Sequence, residues 1–121
     1  MTTENMLRDF VASWNTHDHN AAASMMTEDC IFEPSVGPDP WGDRLIGRSA
    51  VREWALATFA KIPDIHWEPL RFFSHGDYAV YEYRMIGTPK GAAAFDVFVC
   101  DVLTLRNNQV YAKRAYRKTK P

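Results

Sequence analysis

The hydrophobic period of this chain changes once, near His66, and that change limits the architectures open to it. Upstream, apolar residues recur three and four positions apart; downstream they alternate. Met6, Leu7, Phe10, Val11 and Trp14 make one stripe of a helix predicted over 3–16. Thr2 or Thr3 is available as its N-cap, and Glu4 stands in the first turn, where a negative charge meets the positive end of the helix dipole. The run Asn15-Thr16-His17-Asp18-His19-Asn20 breaks this helix with capping and turn residues. A short helix over 20–27 and a short strand over 30–33, ended by Pro34, are predicted next. A third helix over 49–60 carries Val51, Trp54, Ala55, Thr58 and Phe59, and Pro63 stops it. Four strands follow, over 66–75, 78–87, 95–105 and 110–118, joined at Gly76-Asp77, at Gly87 to Gly91 and at Asn107-Asn108.

Helices first and antiparallel strands afterwards predict an α+β fold in one domain spanning 1–121, with three helices on one face of a curved sheet. At 121 residues, 46% apolar and 13% aromatic, the chain can fill one core. Between the first strand and third helix, Pro34, Gly37, Pro38, Pro40 and Gly42 forbid regular structure around Trp41. A loop of this kind is expected to be a flap that closes Trp41 over a cavity.

Charge excludes some partners. The net charge of −1, from 14 basic and 15 acidic side chains spread along the chain, argues against nucleic acid and anionic membranes. The basic cluster Lys113-Arg114, Arg117-Lys118 and Lys120 reads as a solvated strand end and tail, with phosphate binding as the alternative. No apolar run approaches the ~20 residues of a membrane span, and Met1-Thr2-Thr3-Glu4-Asn5 lacks the basic start of a signal peptide, so a cytoplasmic location is expected. Cys30 and Cys100 are expected to be reduced thiols. His17, Asp18 and His19 read as a turn, since no further ligand has a metal-type spacing; neither metal nor cofactor is expected.

Two carboxylates stand in apolar strand-like runs, Glu33 in Cys30-Ile31-Phe32-Glu33-Pro34 and Asp101 among Phe95, Val97, Val99, Leu103 and Leu105 on one strand face. A buried carboxylate is costly, and burial raises its pKa toward values useful for acid–base work near neutrality. The other readings are an exposed strand-end Glu33, and an Asp101 ion-paired with Arg114, its cross-strand neighbour if Asn107-Asn108 makes a two-residue turn.

Further marks lie along the chain: Phe10-Val11-Ala12-Ser13-Trp14-Asn15 before a polar turn, Phe32-Glu33-Pro34 with Val36-Gly37, and Ile46-Gly47 leading into Ser49-Ala50-Val51-Arg52-Glu53-Trp54. Gly87-Thr88 with Gly91, Asp101 and Arg114-Ala115-Tyr116 follow. In this order they resemble the ketosteroid isomerases and SnoaL-like polyketide cyclases of the nuclear transport factor 2-like superfamily. The resemblance implies a cone-shaped α+β barrel with a mainly antiparallel sheet, and a homodimer paired through the sheet, with Glu82, Arg84, Tyr111 and Arg117 as interface candidates. It aligns Glu33 with the general base of the isomerases and Asp101 with the acid that stabilises the enolate oxygen, or with the acid/base of the cyclases. The tyrosine that donates to that oxygen in the isomerases is replaced by Phe10, which cannot donate.

The resulting expectation is a small cofactor-free enzyme, isomerase, lyase or cyclase in type, acting on an apolar carbonyl-bearing ligand in a conical pocket. Phe10, Trp14, Trp41, Trp54 and Phe59 are expected to line it from the helical half and the loop; Phe72, Tyr81, Tyr83, Val99 and Tyr116 are expected to do so from the strands. A non-catalytic ligand-binding or dimerisation module of the same fold is the alternative. An epoxide hydrolase-like cluster of Glu82, Arg84 and Asp101 is a second alternative. It requires Glu82 and Arg84 to face inward, whereas the resemblance to the SnoaL-like pattern, counted back from Gly87, implies that Tyr81, Tyr83 and Met85 do.

Overall fold

The computed structural model describes residues 2–121, and Met1, the first residue of the segment read for a signal peptide, lies outside them. Helix α1 (Thr3–Asn15) is capped by Thr2, whose Oγ1 accepts from the Asn5 N–H at 3.1 Å. The Asn15 side chain at its far end exchanges two hydrogen bonds with the backbone of Trp67, at 2.8 and 2.9 Å, and so fixes the helix to the sheet. Helix α2 (His19–Ser24) is capped by Asp18, whose carboxylate accepts from the N–H groups of Asn20 and Ala21. It ends earlier than its alanines and methionines suggest, and strand β1 (Met26–Glu33) begins earlier than predicted. The cause is tertiary: Met25 C=O accepts from the Val110 N–H at 2.9 Å, and Met26 pairs with Val110, which outweighs local helix propensity.

A two-residue strand β2 (Leu45–Ile46), too short to show in the sequence pattern, pairs with Ile31 and Phe32. Helix α3 (Arg48–Lys61) follows, then β3 (His66–His75), β4 (Tyr78–Gly87), β5 (Phe95–Arg106) and β6 (Gln109–Arg117). The sheet has the order β2-β1-β6-β5-β4-β3; β1 and β6 run parallel and every other pair is antiparallel. It is curved and open, and the three helices close the cone on its concave side.

The β5–β6 hairpin turns through Asn107 and Asn108 at φ of 52° and 60°, as a two-residue turn of twisted strands requires. Register then slips by one: Leu105 pairs with Val110 but Thr104 with Ala112, leaving Tyr111 as an extra residue of β6. Asp101 therefore faces Ala115 and not Arg114, which corrects the expected pairing.

Alternation sorts the two sheet faces. Tyr81 and Tyr83 are buried on the concave side, while Glu82 and Arg84 lie on the convex side, where Glu82 meets Arg71 at 2.8 Å and Arg84 meets Asp96 at 2.7 Å. Their position opposite to Asp101 removes the epoxide hydrolase-like cluster. In the core, Trp14 stacks on Phe32 at 5.6 Å and meets Trp54, Phe59 and Trp67 edge-on. Burying such a side chain contributes roughly 1.5–3 kcal/mol. Cys30 and Cys100 are free thiols. Among the described residues no helix is long and apolar enough to cross a membrane.

Gly87 lies where the sheet meets the end of α3. A Cβ there would lie 2.7 Å from Ile62 Cγ2 and 3.0 Å from Phe95 Cζ. Gly87→Ala is expected to lower stability by about 1–3 kcal/mol through overpacking, read as a fall of several degrees in Tm with an unchanged far-ultraviolet spectrum.

Candidate active site

A cavity of about 580 Å³ lies between the concave sheet face and α1 and α3. Its walls are mostly apolar, with Phe10 and Trp14 from α1, Trp54 from α3, Phe32 from β1 and Val99 from β5. On the sheet side of this wall three polar residues meet. Asp101 is 3% exposed; its Oδ1 accepts from the Tyr83 hydroxyl at 3.0 Å, and its Oδ2 is 3.3 Å from Lys113 Nζ. Lys113 is itself buried, with Nζ 4.4 Å from the centre of the Phe32 ring.

Register explains the grouping. Asp101 pairs with Tyr81 on one side and with Ala115 on the other, so Tyr83 and Lys113 are its diagonal neighbours, within reach of long side chains. At an effective dielectric of 20, the attraction across 3.3 Å is roughly 5 kcal/mol, comparable with the several kcal/mol that burial of each ion costs. Burial prevails for Asp101: its pKa is raised, against the opposing pull of Lys113 and of the Tyr83 hydrogen bond. Tyr83 is held well above the usual phenol range by burial and then by the charge of Asp101, so it stays a neutral donor. Such a carboxyl can accept a proton and give it back; the ammonium beside it can meet a developing oxyanion.

Of the residues expected from the sequence, Phe10, Trp14, Trp54, Tyr83, Val99 and Asp101 line the cavity. Phe59 and Tyr81 are buried beside the lining, and Phe72 packs edge-on against Tyr81 at 4.5 Å; none of the three reaches the cavity. Tyr116 pairs with Cys100 on the convex face and is 61% exposed, so strand alternation takes it away from the cavity.

Glu33 is also a correction. It follows the inward Phe32, so it points to the other side of the sheet, where it is 6% exposed and held by Arg44 at 2.7 Å and Arg114 at 3.8 Å. Trp41 covers no cavity: it is 43% exposed, and the Arg44 guanidinium lies 4.3 Å from its ring centre. The Trp41–Arg44–Glu33–Arg114 chain fastens the loop to the outside of the sheet, and only Pro34, Ser35 and Val36 reach the cavity. The expected interface residue Arg117 lines the cavity as well, and Tyr111 lies under Arg106.

Sequence reasoning missed Lys113 and Arg117 as cavity residues. Counting inward positions from Val110 selects Ala112 and Arg114, and only the extra residue in β6 reverses the choice. Nothing in Gln109 to Arg117 announces that residue.

The sequence matches the SnoaL-like domain over residues 7–112. No curated protein matches it. Among solved structures it is similar to a hypothetical protein of ketosteroid isomerase-like fold from Catenulispora acidiphila, in complex with trimethylamine, at 23% identity and a TM-score of 0.85 over 95% of this chain and 86% of that one. A candidate polyketide cyclase from Xanthomonas campestris pv. campestris is similar at 17% identity and 0.79, over 94% and 88% of the two chains. An NTF2-like protein of unknown function from Mesorhizobium loti is similar at 25% identity and 0.76, over 97% and 91%. With the family match spanning most of the chain and the cone fold shared across these structures, the chain belongs to the SnoaL-like domain family of the nuclear transport factor 2-like superfamily.

Proposed function

We propose that the cavity carries out cofactor-free acid–base chemistry on an apolar, carbonyl-bearing metabolite, with Asp101 as the proton carrier. One observation supports this above the rest: Asp101 is buried on the wall of an open apolar cavity, with its two oxygens engaged by Tyr83 and Lys113. In this reading the ionised Asp101 removes a proton α to the carbonyl. The Lys113 ammonium stabilises the enolate oxygen, and Tyr83 fixes the carboxylate plane. Returning the proton to another carbon completes an isomerisation; giving it to a leaving hydroxyl completes a dehydration; attack of the enolate carbon on a second carbonyl, whose oxygen takes the proton back from Asp101 as its C=O π bond opens, gives aldol-type cyclisation. A non-catalytic binding module is the second reading, favoured by the fact that Lys113 already neutralises Asp101. The two free thiols agree with work in the reducing cytoplasm.

Asp101→Asn keeps the shape of the side chain and removes the titrating group. It is expected to slow deuterium exchange at the α-carbon of a panel of β-hydroxy and unsaturated ketones by about 10²–10⁴-fold, with ligand affinity nearly intact. Wild-type exchange in this variant would establish the module reading. Glu33→Gln, on the other side of the sheet, is expected to leave exchange within about twofold while lowering Tm, because Arg44 and Arg114 lose their counter-charge.

The raised pKa of Asp101 gives a signed pH dependence. Exchange should rise with pH through a midpoint above the ordinary aspartate value of about 3.9. The stabilising contribution of the buried acid is full below that ordinary value and is lost as pH rises through the folded-state pKa. Thermal melts between pH 4 and 8 should therefore shift progressively in favour of Asp101→Asn relative to the parent.

We also propose that the chain pairs with a second copy through the convex sheet face, where Phe73 of β3 is 71% exposed and Phe98 of β5 and Tyr116 of β6 are exposed farther across the same face. Arg84 and Glu82 lie on this face and Tyr111 packs under the outward Arg106, so all three stay interface candidates, whereas Arg117 faces the cavity. Light scattering at micromolar concentration should give twice the mass of the chain, and Phe73→Glu should return the monomer; a monomer in the parent would refute the pairing.

A further inference from the structure

Asp101 is the only acid on the cavity wall among the described residues, and three cations share that wall: Lys61, Lys113 and Arg117. Lys113 is committed to Asp101, but among the described residues the other two meet no counter-ion. Six of the nine arginines, Arg8, Arg44, Arg71, Arg84, Arg106 and Arg114, each meet a carboxylate; among the described residues Arg48, Arg52 and Arg117 do not, and of these three Arg117 alone lines this cavity. The position opposite Val99 turns Arg117 inward. Its guanidinium carbon stands 5.7 Å from the centre of the Phe95 ring, and its Nε is buried without a hydrogen-bond partner. The indole N–H of Trp14, a second member of the wall, is likewise buried without a partner.

Lys61 ends α3 and belongs to the same end of the cavity. Its C=O accepts from the Lys90 N–H, its neighbour Ile62 lies against Gly87, and Gly87 pairs with Phe95, the residue beside Arg117. A charged donor on an apolar wall with neither a counter-ion nor a hydrogen-bond acceptor is incompletely satisfied, and low-dielectric walls concentrate its field in the cavity.

We propose that the occupant of this cavity is an amphipathic acid whose oxyanion, a carboxylate or phosphate, pairs with Arg117 at the mouth under the field of Lys61. The proposal rests on the acid–base reading above for the deep end of the cavity and adds the anion at the other end. Lys113, Ala115 and Arg117 are successive inward positions of β6, about 7 Å apart at a strand rise of roughly 3.3 Å per residue. An oxyanion on Arg117 therefore lies roughly 7–13 Å from the group held between Asp101 and Lys113. The substrate class becomes an apolar ketone that carries an anionic carboxylate or phosphate group, its carbonyl separated from that group by several bonds.

The test uses two fluorescent probes of one ring framework, the anion 1-anilinonaphthalene-8-sulfonate and neutral N-phenyl-1-naphthylamine, titrated into the intact protein. The anion is expected to bind at least about tenfold more tightly, with a preference that shrinks as salt rises. Arg117→Gln is expected to remove that preference and leave the neutral probe unchanged; Lys61→Gln, at an exposed residue, is expected to reduce it and covers the case in which the first variant fails to fold. Equal binding of the two probes by the parent, or a preference that survives both substitutions, overturns the proposal. Displacement of the anionic probe by decanoate at lower concentration than decyl phosphate identifies a carboxylate, and the reverse order a phosphate ester; displacement by methyl decanoate as readily as by decanoate overturns the proposal. Asp101→Asn separates the two readings, since it should slow α-carbon exchange by the factor given above and keep the anion preference. A preference retained in a parent that catalyses no exchange upholds the anion site and refutes the acid–base reading; exchange by a parent with no preference does the opposite.

Discussion

One extra residue in β6 decides which side chains of the last strand face the cavity. Without the bulge at Tyr111, Asp101 would lie opposite Arg114, and Lys113 and Arg117 would face outward. With it, Lys113 reaches Asp101 from the next inward position, while Arg114 turns outward and reaches Glu33. The charges of both faces are sorted by this single register step: each buried carboxylate receives a cation, and Arg117 is left on the wall without one. Bulges commonly re-aim side chains next to functional sites, and here the effect extends along the strand to its end.

Much of the fold was legible because it rests on periodicity. The stripe from Met6 to Trp14, the alternation of Tyr81, Tyr83 and Met85, and the polar turn at Asn107-Asn108 carry local physics that tertiary structure had no cause to override. The end of α2 was not legible, because residues near Val110 decide where Met25 and Met26 go. The same distinction holds for the site. Asp101 could be found from its apolar neighbours on one strand, whereas Lys113 reads as one member of a solvated basic tail until register is known. Glu33 and Trp41 misled for a related reason: an acid beside a proline and a tryptophan in a loop both suit a pocket, but alternation from Phe32 and the attraction of Arg44 placed them on the outside.

Glu33 and Asp101 are both buried carboxylates with basic partners, but their settings differ. The partners of Glu33 are two half-exposed arginines outside the cavity, and the group serves to anchor a loop. Asp101 has one buried lysine, one phenol and an open apolar space before it. Burial alone therefore does not set the two acids apart; the free volume beside Asp101 does.

The parallel pairing of β1 with β6 has a consequence for how the chain acquires its site. Phe32 and Lys113, whose side chains meet in the cavity, stand roughly eighty residues apart, and β3, β4 and β5 can form their antiparallel meander before β1 and β6 meet. Closing so long a loop is entropically costly, more so than forming the local hairpins of the meander. A chain whose meander alone has formed lacks one wall of the cavity, so ligand binding reports on completion of the fold and stabilises only the fully assembled molecule.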